Sequence, residues 1–157
     1  MIRRFFSFLI IFSIAAAAFA EAKAKDIASE AAKKATVEES ISYVKNQLKS
    51  LTVASEKRAA YVFLASLQEQ MSLYGEAQKN YAAAAGIAAS DAEGMPKKTN
   101  EQLVIDAVRC ALCCGDYPTA DSYLNSSVRN SKDAKILSYV NYMPSGVPFA
   151  GQKILQI

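Results

Sequence analysis

From Thr36 to Tyr142 the chain sets its large apolar residues three or four positions apart and confines most of its glycines and prolines to the gaps between these stripes. That period fits helices and not strands. The clearest stripe follows Thr36, where Val37, Ile41, Val44, Leu48 and Leu51 recur at four-three-four-three spacing. Thr36 with Glu39 three residues on forms a capping box that starts this helix. Coiled-coil pairing also produces such spacing, but two heptads are too short a run to choose it over packing on the next helix. The preceding segment, residues 22–35, is alanine-rich with Ile27 as its one large apolar group, which predicts helix without firm packing.

Between Arg58 and Tyr74 the stripe Tyr61, Leu64, Ala65, Gln68, Met71 again reads as helix, while Val62, Phe63 and Leu73 lie off it. A helix apolar on two sides needs a neighbour on both, unless one side is left open for a partner. Gly75 interrupts this run, and a second helix is expected from Glu76 to Ala89 with Ala77, Tyr81, Ala84, Ala85 and Ala88 on one face. Ser90 to Lys98 holds a glycine, a proline and mixed charges and reads as a loop. Thr99 and Gln102 cap a helix from about Asn100 to Cys114, which Gly115 ends in the position of a left-handed cap. Pro118 falls in the first turn of another helix, striped by Ala120, Tyr123, Leu124, Ser127 and Val128. Ser131 caps a last one running to about Tyr142, beyond which Pro144, Gly146, Pro148 and Gly151 forbid regular helix.

The first twenty residues have another character. Arg3 and Arg4 precede an apolar run from Phe5 to Phe19, which ends in Ala18-Phe19-Ala20 just before Glu21. This is the three-part layout of a secretory signal, expected to be cleaved after Ala20. The run is about 15 residues, short of the roughly 20 that a spanning helix needs. A retained signal anchor tethering a helical spacer is the competing reading. Loss of Arg3 and Arg4 lowers the basic residues from 18 to 16 against 15 acids, so the mature surface is near neutral and gives no electrostatic reason to bind nucleic acid. The expected organisation is a signal at 1–20, a linker and capping helix at 21–57, paired helices at 58–142 and an irregular tail at 143–157.

Within the paired helices the chain repeats itself. Leu73-Tyr-Gly-Glu-Ala-Gln-Lys-Asn-Tyr81 and Asp116-Tyr-Pro-Thr-Ala-Asp-Ser-Tyr-Leu124 share a tyrosine, an alanine three later and a large residue four beyond that. With Tyr61, Leu64, Ala65, Ala77, Tyr81 and Ala84 in the first unit, and Val104, Ala107, Val108, Ala111, Ala120, Leu124 and Ser127 in the second, this resembles the tetratricopeptide repeat. Gln68 departs from the aromatic of that pattern. Ala77 and Ala120 are 43 residues apart. The repeat length is roughly 34, so about nine residues are inserted near Gly94 to Lys98. The resemblance implies an all-α fold of antiparallel helix pairs stacked as a short right-handed solenoid, whose first helices line a concave side that receives a protein or peptide. Carried over by register, it selects Val62, Phe63, Ser66, Glu69 and Gln70 from the first unit, and Gln102, Ile105, Asp106 and Arg109 from the second. Read without the resemblance, the same residues make a helical bundle; for Phe63 the alternative to the concave side is burial against the 37–51 helix.

Chemistry finds little purchase. The chain has no histidine, which removes Ser-His-Asp and Cys-His arrangements and every histidine-containing metal site. Six glycines scattered singly make no phosphate loop. Glu38-Glu39 and the Asp106/Arg109 pair read as helix surface. Cys110, Cys113 and Cys114 are the one cluster of reactive groups. They read first as small apolar residues at a packed helix end, with at least two thiols reduced and buried. A thiol redox or metal site, and oxidation of an odd number of cysteines after export, are the alternatives. No enzyme and no cofactor are expected. The expected protein is an exported scaffold, periplasmic if the source is bacterial, binding a peptide segment or an envelope partner, with the helix bearing Ile136, Leu137, Tyr139 and Val140 covered by self-association or by a natural chain that continued in further helical repeats.

Overall fold

A computed structural model of the chain describes residues 23–128. Six α-helices follow one another there: α1 (Ala24–Ala31), α2 (Val37–Leu48), α3 (Ala54–Gln70), α4 (Tyr74–Ala85), α5 (Asn100–Cys113) and α6 (Tyr117–Tyr123), the last prolonged by a π-helical turn at Leu124–Val128. The described residues contain no strand, and the fold is all-α. The signal at 1–20, the helix after Ser131 with its self-association, and the tail at 143–157 lie outside them.

Side chains supply the caps where the sequence placed them. Thr36 Oγ1 accepts from the Glu39 amide at 3.2 Å, although the Glu39 carboxylate reaches past the N-cap to the Ala35 amide, also at 3.2 Å. At α5 the box is complete: Thr99 Oγ1 accepts from the Gln102 amide at 3.2 Å, and Gln102 Oε1 accepts from the Thr99 amide at 2.8 Å. Each device satisfies amides that the first helical turn leaves without partners.

The two hairpin turns are built alike. After α5, the Gly115 and Asp116 amides donate to the Leu112 and Ala111 carbonyls at 3.1 and 2.9 Å, with Gly115 at φ +77°. After α3, the Ser72 and Leu73 amides donate to the Glu69 and Gln68 carbonyls at 2.9 and 2.8 Å, with Ser72 at φ 57°. Both are Schellman ends, in which a left-handed residue turns the chain back on its helix. The break in the first hairpin is therefore Ser72, and Gly75, expected to interrupt the run, sits inside the first turn of α4.

Two further boundaries and the packing of one helix differ from expectation. Helix α3 starts at Ala54 rather than Arg58, without a side-chain cap at Val53. Helix α4 ends at Ala85 rather than Ala89. Helix α1, expected to pack loosely, buries Ala24, Ile27 and Ala31 almost completely. Its alanines let it approach α2 and α3 closely. The Ala24 amide donates to Glu56 Oε2 at 2.5 Å, and the Ser40 hydroxyl donates to the Ala31 carbonyl at 2.8 Å.

Burial follows the same 43-residue offset as the turns. Ala60, Leu64 and Leu67 of α3 face back into a first core shared with α1 and α2. Their counterparts Leu103, Ala107 and Cys110 of α5 face back into a middle core with Ala77, Tyr81 and Ala84 of α4. Tyr61, Val62 and Ala65 face forward into that middle core, and their counterparts Val104, Ile105 and Val108 meet Ala120 and Leu124 in a last one. Polar contacts give the direction of the first helices. Near their starts Arg58 Nη2 donates to Asn100 Oδ1 at 3.0 Å, and towards their ends Arg109 pairs with Glu69. Helices α3 and α5 therefore run parallel.

A left-handed residue carrying a Cβ costs about 1 kcal/mol relative to glycine. Ser72→Gly is expected to stabilise the chain by about 0.5–1 kcal/mol, and Gly115→Ala to destabilise it by about 1 kcal/mol, each read from urea unfolding.

Candidate functional site

At about 100° per residue, α3 has four distinct sides. One meets α4, two meet the preceding and following units, and the fourth, opposite α4, carries Phe63, Ser66 and Gln70. The same side of α5 carries Gln102, Asp106 and Arg109. Because the two helices are parallel, these rows lie beside each other. Six of the nine residues selected from the sequence share this outward face. Val62, Glu69 and Ile105 lie on the sides turned to the next helix, where Val62 packs into the middle core and Ile105 against the last.

The six differ in how free they are. Gln70 and Arg109 are exposed, as is Gln102, whose side-chain oxygen is engaged in the α5 cap. Ser66 is half-buried and donates to the Phe63 carbonyl at 2.7 Å. Phe63 is half-buried and packs on the first core, to which α1, α2 and α3 contribute.

At one end of the face a polar network ties three helices together. Arg109 forks onto Glu69, with Nη1–Oε1 at 2.5 Å and Nη2–Oε2 at 3.1 Å, and its Nη2 also donates to Asp106 Oδ1 at 3.3 Å. The Tyr81 hydroxyl comes through from α4 to donate to Glu69 Oε2 at 2.7 Å. Lys98 Nζ donates to Asp106 Oδ2 at 2.5 Å and stands 5.4 Å from the Tyr81 ring centroid. Burial alone would raise the Glu69 carboxyl. Hydrogen bonds from Arg109 and Tyr81, with the charge of Arg109, outweigh it and hold the group below its ordinary range. Burial first, then the bond to Glu69, pushes the Tyr81 phenol well above its usual value. The bond to Glu69 likewise raises Arg109. Two acids and two cations close on one another, so the network is a neutral, internally satisfied joint and holds no unmatched charge for an anion.

Sequence reasoning placed Glu69, and Asp106 paired with Arg109, on this face without joining them, and missed Lys98 and the tyrosine hydroxyl. Tyr81 carried a usable signal, since a phenol on a buried stripe needs a partner for its O–H.

The cysteines divide. Cys110 is fully buried beside Glu69, while Cys113 and Cys114 are exposed, and all three are free thiols. The expectation of two buried thiols is therefore corrected to one. The reason is the helix end: Cys113 and Cys114 occupy the last turn before Gly115, beyond the packed stripe, where Cys114 Sγ donates to the Ala111 carbonyl at 3.3 Å. Burial, followed by the charge of Glu69, pushes the Cys110 thiol up to about 12. Such a thiol is a poor nucleophile. Among the described residues no three His, Cys, Asp or Glu side chains are grouped to hold a metal ion, and no helix is long and apolar enough to cross a membrane.

A cavity of about 420 Å³ opens on the opposite side of the molecule, between the end of α4 and the end of α6. Ala82, Ala85, Gly86, Val104 and Tyr123 form its walls, and none of the nine selected residues lines it. Comparison with protein-family models, with curated proteins and with solved structures finds no match to this chain.

Two measurements test the site. Glu69 has a lowered folded-state pKa, so its stabilisation is complete above the ordinary carboxylate range and is lost as pH falls through the folded value. Glu69→Gln is expected to cost about 1–2 kcal/mol at neutral pH, with the difference from the parent closing between about pH 5 and pH 2 in urea unfolding. Thiol titration of the native chain is expected to modify Cys113 and Cys114 promptly and Cys110 only after denaturant is added.

Proposed function

We propose that this chain is an exported, non-catalytic scaffold of the tetratricopeptide-like kind, whose helix pairs stack as a short right-handed solenoid and hold a peptide segment or partner protein across α3 and α5. The observation that carries the reading is the alignment of Phe63, Ser66 and Gln70 with Gln102, Asp106 and Arg109 on parallel neighbouring helices. Two first helices side by side, with second helices behind them, are the elements from which such proteins make a binding trough.

The chemistry of the face limits what it holds. Its uncommitted groups are the Gln70 amide, the Gln102 amide nitrogen and the exposed edge of the Arg109 guanidinium, set beside the partly covered ring of Phe63. These donate to and accept from a polypeptide backbone while Phe63 offers one apolar contact. The face carries no excess of either charge, so recognition rests on hydrogen bonding and shape more than on electrostatic steering. The joint of Glu69, Arg109, Asp106 and Lys98 keeps α3 and α5 in register, and a trough held rigid before binding loses less entropy when it fills. Placement outside the cytoplasm rests on the signal-like first twenty residues.

Photo-crosslinking side chains placed singly at Gln70 and Gln102, and at the exposed controls Lys79 on α4 and Ser122 on α6, would separate the trough from the back of the molecule. In cells that make the full chain, adducts of one shared mass are expected from the first two positions and not from the controls. Equal yields at all four, or adducts from the controls alone, would sink the reading.

A further inference from the structure

The cavity of about 420 Å³ where α4, α5 and α6 meet combines an apolar lining with polar groups that the fold leaves unused. Ala82 and Ala85 of α4 and Val104 of α5 line it with methyl groups. Its volume lies in the range of about 300–1,000 Å³ usual for small-molecule sites. Among the described residues that line it, Glu101 is the one charged side chain. Glu101 stands half-buried in the first turn of α5, and no described residue pairs with it or donates a hydrogen bond to its carboxylate. The acids around the α3–α5 joint differ in this respect, since Glu69 meets Arg109, Asp106 meets Lys98 and Asp91 meets Arg58.

Tyr123 is the second unused group. Its ring packs at the edge of both the middle and the last core, while its hydroxyl has no partner among the described residues. Burial, followed by the charge of Asp116, pushes this phenol above its ordinary value, so near neutral pH the cavity wall presents an uncharged ring. The face of such a ring attracts a cation.

We propose that this cavity binds a small organic cation, a primary amine with a compact apolar body, whose ammonium group meets the Glu101 carboxylate while its body lies against Ala82, Ala85, Val104 and the Tyr123 ring. Charge selects the ligand class. An anion is repelled by Glu101, and a neutral molecule strips water from that carboxylate without offering it a counter-charge. A primary amine supplies both the charge and the N–H donors that a carboxylate accepts. The cavity lies on the opposite side of the molecule from Phe63, Gln70 and Gln102, so this binding and that of the trough are independent and either can fail alone.

Benzylamine and benzyl alcohol have nearly the same shape and differ in charge, and ¹H–¹⁵N spectra of the full chain titrated with each report where and how tightly they bind. Benzylamine is expected to shift the amides of Ala85, Gly86, Val104 and Ser126 saturably and to bind about tenfold more tightly than benzyl alcohol. Glu101→Gln keeps the shape of the wall and is expected to bring the two affinities together. Absence of saturable shifts at these amides, equal affinities for the two probes in the parent chain, or a preference for benzylamine that survives Glu101→Gln would overturn the proposal. The comparison in the parent chain needs no substitution, so it decides the matter even where the variant does not regain its circular dichroism.

Discussion

A helix with apolar residues on two sides cannot be satisfied by one neighbour, and that constraint governs this molecule. Helix α3 turns Ala60, Leu64 and Leu67 one way and Tyr61, Val62 and Ala65 the other. Covering the first side takes α1 and α2, and covering the second takes α4 and α5. The hairpin α3–α4 is thus not a unit with its own core; it contributes halves to two. Stability in such an arrangement is a sum of joints between neighbours, each of which excludes water only when both halves are present.

Small residues set the distance at which the joints form, and polar groups set their register. Ala65, Ala77, Ala84 and Ala107 are each fully buried in the middle core, so the backbones of α3, α4 and α5 approach closely. Close approach brings Tyr81 far enough through the layer for its hydroxyl to reach Glu69, which also takes both nitrogens of Arg109. At the other end of the same helices Arg58 is almost wholly buried and donates to Asp91, to the Lys98 carbonyl and to Asn100. A buried cation is tolerable only when it is met by acceptors, and here those acceptors come from the loop between the hairpins and the start of α5. The loop between α4 and α5 is consequently anchored at both of these polar joints, through Arg58 with Asp91 and the Lys98 carbonyl, and through Lys98 with Asp106.

Local rules were legible wherever one side chain acts on its own backbone. Thr36, Thr99 with Gln102, and Gly115 end or begin helices as their chemistry requires, and of the stripe from Val37 to Leu51, Ile41, Val44 and Leu51 are buried while Val37 and Leu48 pack half-buried at the core's edge. Ser72 escaped notice because serine takes a left-handed conformation only when the turn around it demands one, and the demand comes from tertiary closure of the hairpin. Helix α1 escaped because alanine carries no apolar bulk to count, though it buries well once a neighbour comes close. Phe63, Ser66, Gln70, Gln102, Asp106 and Arg109 share one outward side of α3 and α5, whereas Val62 and Ile105 pack at the cores and Glu69 bridges to Arg109. The width of a helix side is decided by the partner's distance, and no sequence spacing states that. Cys113 and Cys114 were misread for a related reason: a stripe has no marked end until the cap is in place.

Rigidity and openness are separated in space here, and the separation bears on function. Charged groups on the outward side of α3 and α5 are consumed in holding the two helices together, which leaves the Gln70 amide and the Gln102 amide nitrogen as uncommitted polar groups there. A catalytic site concentrates groups whose titration is displaced towards reactivity. In this chain the displaced groups move the other way: the Glu69 carboxyl is held ionised, while the Tyr81 phenol and the Cys110 thiol are held protonated. Each is fixed in the form that completes a hydrogen bond and is least able to exchange a proton near neutral pH. A set of residues tuned in that direction serves to keep two helices in fixed relation.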